Sequence, residues 1–239
     1  MRINLFPMLL VAVLLCAPAV AAPALQIGPT GSEMMTQMGT PAAGVTDSTS
    51  MNPDGTMQWS GSWMTAQWNA TWDLTLDADP GISGVIGLTN NGAGNMMMTY
   101  NVVMPVVGYY PTGSYMTGSS SVTLADSNFD GSAMMSDQFD GSIYAGLLDG
   151  AAELSLFLRS LPATPTSLNV MTLGGSTSAN DSFTGVTSQG LSSTMGINHM
   201  FMLSGGDSAT VNSTFYVVPE PMTLSLLGLG GLALLRRRR

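Results

Sequence analysis

Trp68-Asn69-Ala70-Thr71-Trp72-Asp73-Leu74-Thr75-Leu76 decides the fold. Its apolar residues share one parity and its polar residues the other. An extended chain here presents one dry face and one wet face, which is a half-buried strand. Asp77-Ala78-Asp79-Pro80-Gly81 closes it with turn residues, and a second strand over 82–89 follows. Asn90-Asn91-Gly92 supplies a further turn before a long strand over 95–107, with Met96, Met98, Tyr100, Val102 and Met104 on one side. Working outward, the same reading predicts strands over 119–125, 142–148, 153–159, 184–191, 196–204 and 209–218. Residues 151–161 compete as a helix, but Leu154, Leu156 and Leu158 share a strand's parity. Strands recurring at short intervals between Gly-rich turns predict an all-β chain folded as an antiparallel β-sandwich, Ig-like or jelly-roll-like. Residues 23–54 carry little periodicity, which predicts a flexible arm or irregular first strands over 22–56 and a sandwich over 57–217.

Both ends read differently from the body. Arg2, an apolar run over 5–15 and Ala17-Pro18-Ala19-Val20-Ala21 form a secretory signal peptide over 1–21, cut before Ala22 by signal peptidase. Lipoprotein processing at Cys16 competes with this, but Leu15 stands where such a site wants a small residue. A cut before Ala22 leaves a mature chain without cysteine, and so without disulfide or thiol chemistry.

At the other end, Val218-Pro219-Glu220-Pro221 is followed by an uncharged run over 222–235 and by Arg236, Arg237, Arg238 and Arg239. Fourteen helical residues span roughly 21 Å, short of a ~30 Å hydrocarbon core. Thinning or snorkelling arginines close that gap. The arginine cluster predicts a cytoplasmic C-terminus and a short C-terminal transmembrane helix. Gly228, Gly230 and Gly231 weaken that helix, which suits a temporary anchor. Pro219 and Pro221 keep the strip just outside it extended. This three-part tail over 218–239 resembles the PEP-CTERM sorting signal, also known as the ice-binding protein C-terminal domain. The resemblance implies an exported precursor held in the inner membrane until an exosortase cuts at the motif. An ordinary tail anchor is the plainer alternative. The segment from Trp68 to Pro105 also resembles bodies often joined to PEP-CTERM tails, which implies a sandwich and supplies no activity.

Composition bounds what the body does. Fourteen of the fifteen acidic residues, but only Arg159 among the six arginines, fall in residues 22–218, a net charge of −13. There is no lysine. Nucleic acid is therefore not expected as a partner, because neutralising phosphate requires Lys and Arg.

Candidate chemistry is sparse. Asp126, Asn128, Asp130 and Asp137 have the spacing of calcium-loop oxygens, with Gly131 at the sharp turn. Asp140 lies near enough to substitute for Asp137. Against this stands an Asx-rich turn, in which these side chains bond their own backbone. Met96-Met97-Met98, Met134-Met135 and the methionines flanking His199 could hold Cu(I), but pliable core filling accounts for them more simply. Trp59, Trp63, Trp68 and Trp72 read either as a platform for sugar rings or as core, and their parity favours core. One histidine, no lysine and no mature cysteine remove most nucleophile–base pairs, so no catalysis is expected. Only paired carboxylates remain for an enzyme, and no pair is marked out.

The expectation is an exported cell-surface or matrix protein with a non-catalytic structural or adhesive β-domain. Exosortase, signal peptidase and the inner membrane are its partners during export, and exopolysaccharide afterwards. The alternative is a glycan- or ice-binding module, with calcium dependence left open.

Overall fold

The computed structural model describes residues 22–77, 79–137, 143–149, 167–187 and 190–218. The expected signal peptide, residue 140, the strand over 153–159, Pro219-Glu220-Pro221, the apolar run and the four terminal arginines lie outside them. The described strands, in order, are β1 (Ala24–Pro29), β2 (Met34–Gln37), β3 (Val45–Met51), β4 (Met57–Met64), β5 (Trp68–Asp77), β6 (Gly81–Asn90) and β7 (Met96–Pro105). They continue as β8 (Tyr115–Ala125), β9 (Ala133–Asp137), β10 (Tyr144–Leu148), β11 (Ser167–Val170), β12 (Ser176–Val186), β13 (Thr194–Leu203) and β14 (Ser208–Val218). Among the described residues no helix is long and apolar enough to cross a membrane.

These strands form two antiparallel seven-stranded sheets, the expected all-β sandwich. One sheet runs β11-β9-β13-β7-β1-β2, with β10 sharing the edge of β13; the other runs β12-β8-β14-β6-β5-β4-β3. On β5 the alternation is as the sequence predicts, with Trp68, Ala70, Trp72, Leu74 and Leu76 all buried. Each of the two leucines removed from water contributes about 1.5–3 kcal/mol. The inner faces of both sheets merge into one core. The Trp72 ring lies over Gly61, its direct partner on β4, where any Cβ would collide with the indole.

Two expectations need correction. The segment expected as an arm or irregular strands over 22–56 is built into both sheets. β1 pairs on one side with β7 and on the other with β2, and it buries Leu25 and Ile27 completely. The sandwich therefore begins at Ala24, not at 57. The strand expected over 184–191 runs instead over Ser176–Val186. It is an edge strand held by an eleven-residue ladder to β8, and its polar sequence left the period-two signal blank.

The register places the chain's ends. β14 is a central strand of its sheet, between β8 and β6. It starts at Ser208 opposite Ala125 and finishes at Val218 opposite Tyr115. Ten steps of about 3.3 Å carry it roughly 33 Å from one pole of the sandwich to the other. β1 begins at Ala24 opposite Val103, near the end of β7 that leads towards Tyr115. Ala22 and Val218, where the expected signal peptide and the tail join the body, thus lie at the same pole.

Candidate functional site

The pole away from both termini is built from turns of Asp, Asn, Ser and Gly. One residue beyond the last register pair, Ser208–Ala125, Asp207 stands opposite Asp126 at the rim of the core. Asp126 is 2% exposed and Asp207 is 0% exposed. Asp126 Oδ2 accepts from the Gly131 and Gly174 backbone N–H groups, both at 3.0 Å, which ties the 126–132 loop to the 171–175 turn. Its Oδ1 is buried and has no hydrogen-bond partner among the described residues. Asp207 Oδ1 accepts from Ser127 N–H at 3.3 Å, and its Oδ2 accepts from the Ser204 hydroxyl. Burial raises the Asp207 pKa; the Ser204 and Ser127 bonds oppose that, while the negative charges of Asp130 and Asp126 add to it. No lysine or arginine stands among the described residues to offset the pair. Like charges facing across neighbouring strands are destabilising. Asn90 closes the same rim, its Nδ2 donating to the Gly94, Leu203 and Ser204 carbonyls.

The expected calcium ligands separate in this geometry. Asn128 Oδ1 accepts from Asp130 N–H at 2.9 Å, and Asn128 Nδ2 donates to Asp130 Oδ2 and to the Gly205 carbonyl. Asp130 Oδ1 accepts from Ser132 N–H and its hydroxyl, which hold the carboxyl below its usual pKa. Asn128 and Asp130 are thereby used in the turn. Asp137 lies at the far end of β9, its backbone paired with Phe201, about 13 Å along the strand from Ala133. Among the described residues no three His, Cys, Asp or Glu side chains come together as a metal site.

Phe129 rides on this loop at φ 61, a left-handed conformation rare for a bulky residue. It is 67% exposed, as are neighbouring Leu173 (72%) and Met171 (84%). Its ring lies over Gly174, which itself has φ +61. Phe129 and Asp207 carried no periodic signal. Gly205-Gly206-Asp207 has the composition of a turn, but nothing in sequence pairs Asp207 with a residue 81 positions earlier.

The tryptophans and the histidine resolve as core or pack against it. Trp59, Trp68 and Trp72 are buried, and Trp59 meets Trp72 edge-on at 6.2 Å, as Trp63 meets Trp68 at 4.7 Å. His199 is fully buried between Tyr100, stacked at 5.6 Å, and Tyr144, edge-on at 5.2 Å. Among the described residues neither ring nitrogen has a hydrogen-bond partner of good geometry, and burial pushes its pKa down to about 3, which the nearby Ile143 carbonyl opposes only weakly.

The termini-bearing pole has another composition. Val186, Tyr115 and Val218 form one register row across β12, β8 and β14, all exposed on the outer face. Tyr216 follows on the same face of β14, half-buried. Tyr109 and Val107, both exposed, sit in the loop that hangs from Thr187 and Leu191 through the Gly113, Tyr110 and Leu191 backbone bonds.

No curated protein matches the chain. Two solved structures share limited likeness. TmCBM61 in complex with β-1,4-galactotriose is 13% identical over 64% of this chain and 88% of that one, with a TM-score of 0.24. The enzymatically active domain of bacteriophage CBA120 tailspike protein 4 is 16% identical over 74% of this chain and 20% of that one, also at 0.24. At that score neither bears on what this sandwich does. Residues 217–239, by contrast, match the PEP-CTERM protein-sorting motif. Residues 217–239 thus carry a PEP-CTERM protein-sorting motif, which implies exosortase processing during export and sorting to the cell envelope or surface.

Proposed function

We propose that the precursor is held transiently in the inner membrane by residues 222–235 with Arg239 in the cytoplasm. Exosortase then releases its sandwich at Pro219-Glu220-Pro221 as a non-catalytic structural or adhesive domain. One observation carries this reading: the segments expected to meet the membrane join the sandwich at the same pole, beside Ala22 and Val218. The opposite pole, roughly 33 Å away, is left to meet the surroundings with Phe129, Leu173 and Met171 outward. The lone histidine is sealed in the core, and no described lysine or cysteine accompanies it, which supports a role without catalysis.

A second reading, a glycan-binding module, is favoured by Phe129. Its ring is exposed on a loop braced by Asp126 and Asn128, the kind of aromatic face on which a sugar stacks. Intact mass of the protein recovered from the host's surface tests the first reading. A species from Ala22 to the Pro-Glu-Pro strip is expected, and one retaining Arg239 would overturn it. Retention on exopolysaccharide, with and without calcium, decides between the two readings: binding lost in Phe129→Ala favours the glycan module.

A further inference from the structure

We propose that, while the tail holds the precursor in the bilayer, the tyrosine-bearing pole seats directly on the lipid interface; this rests on the tether reading above. The protein has six tyrosines. Tyr100, Tyr110 and Tyr144 are buried, and the three that reach solvent, Tyr109, Tyr115 and Tyr216, all lie at the pole where the chain leaves for the membrane. Tyr115 stands between Val186 and Val218 in one exposed row, with Val107 in the adjoining loop. Tyrosine prefers the membrane–water boundary, where its ring meets apolar matter and its hydroxyl stays wet.

Chain length fixes the distance. Three residues separate Val218 from Met222, the first of the apolar run, so four steps along the chain give a reach of at most about 14 Å. The headgroup layer on each side of the hydrocarbon is itself about 5–7 Å thick. The run is some 9 Å shorter than the hydrocarbon it must cross, so mismatch draws the Pro-Glu-Pro strip, and with it this row, towards the lipid. The pole's charges are acidic. Asp77 and Asp79 lie in the β5–β6 turn, where Tyr110 donates to Asp79 at 3.0 Å. At Asp149 burial favours the neutral form, but the Ser193 and Thr194 N–H groups and the Ser192 and Ser193 hydroxyls outweigh it and hold the carboxyl low. The surface therefore fits zwitterionic headgroups, and an anionic bilayer repels it.

The test uses the precursor after signal-peptide removal, residues 22–239, which has no cysteine of its own, carrying one nitroxide at Val186→Cys or at Phe129→Cys and reconstituted in phosphatidylcholine vesicles. Flotation with the vesicles reports the tether. Quenching by a soluble nickel chelate reports the seating. The label at 186 is expected to be severalfold less accessible than the label at 129. Tyr109→Ser with Tyr115→Ser restores its accessibility without loss of flotation, and anionic phosphatidylglycerol vesicles restore it in part. Equal accessibility at 186 and 129 in protein that floats overturns the proposal and leaves the tether standing. Failure to float overturns the tether, and the proposal with it. Val186 is exposed on an edge strand, so the label does not disturb the core.

Discussion

The two poles of the sandwich are made of opposite materials, although the strands between them are continuous. At the termini-bearing pole exposed tyrosine and valine stand on strand ends and in the loop that holds Tyr109 and Val107, beside the acidic Asp77, Asp79 and Asp149. At the other, Asp126, Asn128, Asp130 and Asp207 spend their oxygens on backbone N–H groups and hold Phe129 outward in a left-handed conformation. The first pole adds exposed apolar area to a scaffold that is already complete. The second is a braced loop that orders an exposed aromatic at a cost of about 1–3 kcal/mol for a non-glycine left-handed residue. Neither feature is needed for stability alone, so the two poles give the proposed orientation a contrast that can be tested.

The largest expected effect breaks the comparison outright. Stopping the chain after Val218 removes the tail but leaves β14 complete, since its ladder ends at Tyr115–Val218. The expected outcome is total loss of membrane retention with an unchanged melting temperature, checked by fractionation and calorimetry. Next in size is the response of the core that both poles share. The folded-state pKa of His199 is about 3, below its ordinary 6.5, so the unfolded chain binds the extra proton. Its contribution is complete above pH 6.5 and is lost as pH falls towards 3, at up to about 1.4 kcal/mol per pH unit. His199→Phe is expected to flatten that slope in urea titrations between pH 6 and 4. An unchanged slope would mean that other groups govern acid unfolding.

What the sequence showed of this fold follows from which strands bury one face. Trp68 to Leu76 and Ala209 to Val217 lie in strands flanked on both sides, so apolar residues recur every second position and both strands were legible. β3 and β12 are edge strands whose only demand is backbone pairing. Val45–Met51 has no buried residue and Ser176–Val186 buries only Phe183, so periodicity was silent there. β1 and β2 were missed for length, since six and four residues hold too few repeats to establish a period. Of the polar pole, the Asx turn was visible in Asp126 to Gly131 because it is local. The facing of Asp126 by Asp207 was invisible because it depends on the register between β8 and β14. Asp137 fitted calcium spacing only if the chain curled as an EF-hand does, and a straight β9 carries it away instead.

Smaller effects sharpen the contrast within the polar pole and between the poles. Asp126→Asn loses charge-assisted bonds from Gly131 and Gly174 and is expected to cost about 2 kcal/mol. Asp207→Asn makes the same chemical change one strand away and is expected to stabilise by up to about 1 kcal/mol at pH 7, because it removes one of two facing carboxylates. The sign follows from linkage. The Asp207 pKa is raised in the folded state, so its favourable contribution is present below the ordinary carboxylate pKa and is lost as pH rises through the folded value. The gain from Asp207→Asn should therefore fade on acidification, as measured by melting temperature at several pH values. Equal losses from both substitutions would mean that the carboxylates cooperate through something that binds both, and calcium added to the wild type would then raise its melting temperature. The smallest expected effect belongs to the other pole. Tyr115→Ser touches an exposed ring whose backbone pairs on both sides regardless of side chain, so stability should change by no more than about 0.5 kcal/mol. A larger loss would show that this row serves the fold, which would remove the reason to look for a second surface that it meets.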